Sequence, residues 1–265
     1  SDLHYDRRGA ALNTLHGIYG AGSLVGPLIA GYVISLNFDW QVVYMGAGLL
    51  WALFLAVTFP IKYPSPDYVY DKTKSRNTQT KGSSMSFKTL GRIFVNPVFL
   101  MLFMVSFIYN GSATGLIGWI NTYLDGIDFS VILGAGMVSV FYVGLTIGRF
   151  ICRFLSEKIG YSKTIALCAL GCLIFYPFAI YTSNPFLIGF GVFFSGMSFS
   201  GLHPTGLAYA NTMFTGISGS VTGLLSTAMS LGAMSVPWII GIVAEKSGFT
   251  AGFSLAYYLI FVLIL

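Results

Sequence analysis

Charged residues are scarce in this sequence: only 9% of its 265 residues are Asp, Glu, Lys or Arg, whereas 55% are hydrophobic. A soluble domain carries about 25% charged residues because water must solvate its surface. With a mean hydropathy of +0.76, the composition excludes an ordinary soluble domain and indicates that lipid is the solvent. The apolar runs are continuous over about twenty residues, which favours membrane helices over the alternating strands of a β-barrel.

Cysteine is also rare in the sequence, and catalytic motifs are absent. Cys152, Cys168 and Cys172 show neither metal-site spacing nor a disulfide framework, so we interpret them as small packing residues. The sequence has no HExxH, no GxSxG and no paired intramembrane aspartates, so we expect no enzyme, metal or cofactor. The net charge of +5 comes from residues that flank the apolar runs, so no nucleic-acid partner is expected.

Eight apolar stretches predict eight membrane helices in an all-α polytopic fold. They cover residues 11–35, 41–60, 96–123, 130–155, 162–182, 185–211, 216–244 and 250–265. The last stretch stops in mid-run at Leu265 and the first residue is Ser1, so we expect the chain to be a piece of a longer protein.

The basic residues are segregated among the segments that join these spans. All of the 14 lysines and arginines except Lys246 fall in one alternating set of segments. Cytoplasmic segments carry an excess of Lys and Arg, which predicts that the Ser1 end and the segment 61–95 are cytoplasmic in a multi-pass protein of the cell (inner) membrane. Because 61–95 is too polar to span the bilayer, we expect a linker between residues 1–60 and residues 96–265.

The first and seventh spans contain similar stretches 210 residues apart. Five of twelve positions are identical between 22–33 and 232–243. The small residues and prolines expected to serve packing and kinking are Gly22, Gly26, Pro27 and Gly31 in the first and Gly232, Pro237 and Gly241 in the second. Such patterns also recur by chance in membrane helices, but the agreement with the helix count favours a six-helix unit that occurs twice.

Three stretches resemble the major facilitator superfamily. The stretch from Asn13 to Pro27 looks like the family's glycine-rich fifth helix, 144–160 is similar to the loop between its eighth and ninth helices, and the seventh span is similar to its eleventh. The resemblance implies helices five to twelve of a twelve-helix bundle, with the first four missing and the last truncated. It also implies that 1–60 ends the N-terminal bundle and that 96–265 forms the C-terminal bundle. The first span and His203-Pro204 also resemble the fucose-permease-like branch of sugar permeases.

The segment 144–160 is the predicted cytoplasmic gate. Arg149, Arg153 and Glu157 are spaced by four residues, so they share one helix face. The resemblance implies that the set Gly144, Gly148, Arg149, Arg153, Glu157 and Lys158 closes the cytoplasmic side through charge pairs. Gly144 and Gly148 form a GxxxG motif that lets a neighbouring helix approach closely. A compatible alternative is that the charges only anchor the helix end.

Polar side chains deep in apolar spans mark the candidate solute site, because burying them costs free energy. The candidates are Asn13, His16, Tyr19, Asn110, Tyr142, Ser198 and His203. Pro204 is expected to free a backbone carbonyl and open the helix beside His203. For each candidate the alternative is a structural hydrogen bond.

These donors suit a neutral or polyhydroxylated molecule, so we expect secondary transport of a small polar solute, with a sugar as the specific hypothesis, by alternating access. An exporter of drugs, lipophiles or metabolites that exchanges protons is the alternative. No Asp or Glu lies in the middle of a span. If protons are the coupling ion, His16, His203 or a residue in the preceding helices carries them; a facilitator would need no carrier. The expected partners are the solute and the bilayer.

Overall fold

The chain folds into a series of helices, seen in a computed structural model that describes residues 8–61, 91, 93–214 and 217–263, with side chains from residue 22 onward. Within these ranges the regular structure is entirely helical. The helices are α1 (Arg8–Ser35), α2 (Trp40–Thr58), α3 (Pro97–Asp125), α4 (Val131–Ile159), α5 (Tyr161–Ile180), α6 (Pro185–Phe199), α7 (Leu202–Met213), α8 (Ser218–Ser247) and α9 (Phe249–Val262).

Six helical stretches in the described part of the chain are long and apolar enough to cross a membrane, which confirms the all-α polytopic architecture. They are Trp40–Thr58, Pro97–Asp125, Val131–Ile159, Tyr161–Ile180, Pro185–Met213 and Ser218–Ser247. Two further apolar stretches are α9 and Gly22–Ser35, the part of α1 whose side chains are described.

The chain divides into two units, Ser1–Ser83 and Ser84–Leu265. In the first unit the structure describes α1 and α2, which contact each other. No residue of α2 is buried. The predicted linker 61–95 lies mostly at residues 62–90, outside the described ranges, so it stays a prediction.

Two spans of the second unit begin at the same kind of cap. The side-chain oxygen of Asn96 accepts hydrogen bonds from the backbone N–H groups of Val98 and Phe99, at 3.0 and 3.2 Å. Asn184 caps α6 in the same way. A proline follows each asparagine at the first helical position, where its missing N–H has no cost.

Two helices of this unit extend three or more residues beyond their predicted ends. α4 ends at Ile159 rather than at residue 155, and α8 ends at Ser247 rather than at residue 244. Each ends at a glycine with a positive φ, Gly160 at 85° and Gly248 at 82°. Each helix continues past the end of its apolar run, because it ends only where a glycine can adopt the positive φ that turns the chain.

The sixth predicted span is interrupted, although its sequence predicts a single helix over 185–211. α6 ends at Phe199 and α7 begins at Leu202, with a turn at Ser200 and Gly201. Pro204 has no N–H to donate to the carbonyl one turn earlier. Within the turn, the Ser200 hydroxyl donates to the Met197 carbonyl at 2.6 Å. The expected opening therefore occurs, one turn before the proline.

Glycines let the spans of the second unit pack closely, with α3 along α8 and α4 along α6. A Cβ on Gly232 would overlap the Phe107 carbonyl oxygen of α3. A Cβ on Gly144 would overlap the Phe193 carbonyl oxygen of α6. The backbones of the two helices touch at these crossings. Helices in lipid associate through such close contacts at small residues.

Candidate functional site

The break between α6 and α7 places His203 against two polar side chains of α3. Its Nδ1 lies 3.5 Å from the Ser106 hydroxyl oxygen. Its imidazole is stacked parallel to the Tyr109 ring, with centroids 6.1 Å apart and an interplanar angle of 5°. Ser106 lies nine residues into α3, about 14 Å along the helix axis, so this group is well inside the bundle.

Asn110 links two helices close to this group. Its side-chain Nδ2 donates to the Met229 carbonyl of α8 at 3.0 Å. The amide therefore joins α3 to α8, the structural role that was the alternative to solute contact, and it stays half-buried.

The structure places Ser198 and Tyr142 in different surroundings. Ser198 is buried, donates to the Phe194 carbonyl at 2.7 Å and lies over Gly171 of α5. Tyr142 is half-buried on α4, with its ring edge-to-face on Phe141. Of the four candidates in this unit, His203 has the richest described polar and aromatic surroundings.

The candidates of the first unit and the gate charges remain predictions. Asn13, His16 and Tyr19 belong to α1, but their side chains lie outside the described residues. At the end of α4, Arg149 is half-buried, whereas the side chains of Arg153, Glu157 and Lys158 are exposed.

The glycines and prolines of the repeated stretch have different neighbours in the two units. Gly22 and Gly26 have no atom within 4 Å of an added Cβ, Pro27 is half-buried within α1, and Gly31 is buried. In α8, the Pro237 carbonyl accepts a hydrogen bond from Trp119 Nε1 at 2.8 Å. Gly241 makes room for the same indole, since an added Cβ would lie 2.8 Å from its Cζ2.

One face of α8 was missed by the sequence analysis. It turns away from the buried stripe that contacts α3 and carries Gly223, Thr227, Ser230, Met234 and Trp238, all exposed. Their spacing of three and four residues is the signal that could have revealed a common face. Thr227 and Ser230 donate to carbonyls of the preceding turn, so the remaining acceptor capacity of their oxygens faces outward.

This face, hereafter the α8 polar face, leads to an aromatic cavity of about 470 Å³. Its lining includes Trp119 of α3, Trp238 and Glu245 of α8, and Phe249 of α9. The Trp119 and Phe249 rings lie 5.6 Å apart, and Trp238 is 65% exposed. Flat rings can stack on the apolar face of a sugar, and a carboxylate can accept hydrogen bonds from its hydroxyls.

The family comparison covers nearly the whole chain. The family model described as Major Facilitator Superfamily matches residues 4–185 and 135–265. The chain belongs to the Major Facilitator Superfamily. The predicted resemblance is therefore confirmed, and this member of the superfamily is a multi-pass integral membrane protein.

Curated relatives within the superfamily are similar at low identity. The chain is 26% identical over 261 residues to the glucose/mannose transporter GlcP of Bacillus subtilis, covering 90% of this chain and 58% of GlcP. It is 25% identical over 251 residues to the cis,cis-muconate transport protein of Acinetobacter baylyi, covering 93% and 60%. It is 20% identical over 243 residues to protein TsgA of Shigella flexneri, covering 91% and 58%.

The chain thus spans about three fifths of the length of these relatives. The two relatives whose names state an activity are named for transport. The family is therefore one of transporters rather than enzymes, in agreement with the absence of catalytic motifs from the sequence.

Proposed function

We propose that the full-length protein carries a small polar solute, specifically a hexose, across the membrane by alternating access. The observation that carries the proposal is the α8 polar face and its continuation into the aromatic cavity. Exposed hydroxyls on a membrane helix are best accommodated where they line a water-filled path. A solute moving along this face would meet hydroxyl oxygens on one half of α8 and aromatic rings with a carboxylate on the other.

The cavity favours a sugar among polar solutes. Its volume of about 470 Å³ falls within the range of about 300–1,000 Å³ typical of small-molecule sites. The Trp119 N–H donates to the Pro237 carbonyl, so the indole ring is held in place and presents an apolar surface. Glu245 supplies an acceptor for hydroxyls at the rim. The similarity to a glucose/mannose transporter points to the same class of solute.

We further propose that protons are the coupling ion and that His203 carries them. No carboxylate lies in the middle of any span of the sequence. An imidazole titrates near neutral pH, and this one lies beside the Ser106 hydroxyl and the Tyr109 ring. The charges at the end of α4 would close the cytoplasmic side. Residues 1–60 and 96–265 would belong to two bundles.

The test is hexose uptake by the full-length protein in proteoliposomes. Glu245→Gln should raise the half-saturating glucose or mannose concentration about tenfold, the equivalent of about 1.4 kcal/mol, because a neutral amide accepts hydroxyl hydrogen bonds more weakly. Lys246→Gln is the matched control, since it is the exposed neighbouring residue and does not line the cavity. Hexose uptake no greater than in empty vesicles would refute the sugar proposal, and a fluorescent lipophilic cation in the same vesicles tests the exporter alternative.

A dicarboxylate is the second candidate, favoured by the similarity to a cis,cis-muconate transport protein. The two candidates predict opposite effects at one residue. Glu245 would repel an anion, so Glu245→Gln should lower the half-saturating muconate concentration if the solute is a dicarboxylate. The sign of the change therefore separates the two solutes.

A further inference from the structure

Two cysteine thiols meet where α4 and α5 pack together. The Sγ atoms of Cys152 and Cys168 are 3.5 Å apart. The side chains are 7% and 6% exposed, whereas Cys172, one turn further along α5, is fully buried. All three are free cysteines. The three cysteines look alike in the sequence, but in the structure Cys152 and Cys168 form a pair at hydrogen-bonding distance.

The two thiols contact the turn between α6 and α7. A Cβ on Gly201 would lie 2.5 Å from the Cys152 sulfur and 2.6 Å from the Cys168 sulfur. Any larger residue at the turn would therefore displace a thiol. Because Gly201 has no side chain, both thiols fit against the turn.

The Ser200 hydroxyl lies beside the thiol pair. The Ser200 hydroxyl donates to the Met197 carbonyl at 2.6 Å, and its oxygen lies 3.8 Å from the Cys152 sulfur. The Cys152 sulfur is thus within hydrogen-bonding distance of both the Cys168 sulfur and the Ser200 oxygen. The two sulfurs are held together with no other group between them.

The pair is close to the basic end of the bundle. Cys152 is next to Arg153, and Cys168 is five residues from Lys163, about 8 Å along the helix axis. Cys172 is about 14 Å from Lys163 by the same measure. Small reagents dissolved in water therefore reach the pair more readily than Cys172. The basic end is the predicted cytoplasmic side, where a reducing environment keeps thiols reduced and makes a disulfide transient.

We propose that Cys152 and Cys168 form a redox-modification site at which a hydroperoxide oxidises the two thiols to a disulfide that joins α4 to α5. One thiolate attacks the peroxide O–O bond, giving a sulfenic acid and one water. The second thiol displaces the sulfenic hydroxyl as another water, and the S–S bond forms. The two thiols lose two electrons and two protons, and the hydroperoxide, as H2O2, becomes two waters. A dithiol reductant returns the two electrons. The site does not depend on the identity of the transported solute.

Peptide mapping of the full-length protein in its membrane tests the proposal. Membranes are treated with hydrogen peroxide, the protein is denatured in sodium dodecyl sulfate so that buried thiols also react, free thiols are blocked with N-ethylmaleimide, and the protein is digested with trypsin and then chymotrypsin. Trypsin releases Phe150–Arg153, which contains only Cys152, and cleavage at Leu170 separates Cys168 from Cys172. We expect Cys152 to be linked to the Cys168 peptide, Cys172 to carry maleimide, and dithiothreitol to abolish the link.

Cysteine variants provide the matched controls. Cys172→Ser should keep the link, because the third thiol takes no part, and Cys168→Ser should remove it. The wild-type digest is decisive even if a variant fails to fold. Recovery of Cys152 as its maleimide adduct after peroxide treatment, its linkage to Cys172, or its separate oxidation to the sulfinic acid would each overturn the proposal.

Discussion

Single glycines determine how closely the helices of the second unit approach one another. Gly144 of α4 lies against the backbone of Phe193, whereas Gly136, two turns earlier on the same helix, has no atom within 4 Å of an added Cβ. Gly144→Ala must push α4 and α6 apart and should destabilise the protein by about 1–3 kcal/mol. Gly136→Ala should leave stability unchanged or raise it slightly, because alanine favours the helix.

Thermal unfolding of the two alanine variants in one detergent checks this difference. Equal midpoints for Gly144→Ala and Gly136→Ala would mean that the close crossing does not limit the packing of α4 and α6.

His203 is the residue on which proton coupling depends in the proposed mechanism. His203→Gln keeps a polar side chain of similar reach beside Ser106 but cannot titrate. We expect uptake driven by a pH gradient to fall about tenfold or more, while exchange of labelled for unlabelled solute across the membrane continues. Gradient-driven uptake that persists unchanged in this variant would rule out His203 as the proton carrier.

At the scale of elements, the break between α6 and α7 distinguishes one proline from three others. Pro27, Pro177 and Pro237 lie inside helices that continue through them. Near Pro204, by contrast, the chain turns at Ser200 and Gly201, one turn before the proline, and Gly201 contacts the two thiols. Proline content alone therefore does not predict where a span is interrupted.

Pro204→Ala tests whether the interruption matters. The new N–H can bond to the Ser200 carbonyl, so α6 and α7 should tend to join into one helix and thermal stability should increase. Because His203 would then lose its position beside Tyr109, we expect the transport rate to fall. The measurement pairs a thermal melt with solute uptake in vesicles, and a more stable variant with undiminished uptake would show that the break is dispensable.

Part of the fold and of the candidate site could be predicted from the sequence. Apolar length located the spans and the motifs identified the superfamily, since both signals are local in the chain. The aromatic cavity could not be foreseen, because it forms where the ends of α3 and α8 meet the start of α9 and depends on the contact between Trp119 and Gly241. Ser198, by contrast, has a polar side chain in an apolar span but packs on Gly171 of α5, which no periodicity would reveal.

For the whole molecule, charge segregation predicts the orientation in the membrane. The turn at Gly160, just before Ser162 at the start of α5, joins α4 to α5 among basic residues, and the turn at Gly126 joins α3 to α4 beside Asp125 and Asp128. Both positions are exposed. Moving a lysine or arginine across the bilayer is unfavourable, so the first turn should face the cytoplasm and the second the outside.

Single cysteines in a full-length background with Cys152, Cys168 and Cys172 replaced by serine measure this orientation. In intact cells a membrane-impermeant maleimide should label Gly126→Cys and should label Ser162→Cys only after permeabilisation. Labelling of both from outside would mean that α4 does not cross the membrane, because the two turns lie at its opposite ends. The reverse pattern would invert the orientation and place the Cys152–Cys168 pair near the outer surface, where no cytosolic reductant would hold it reduced.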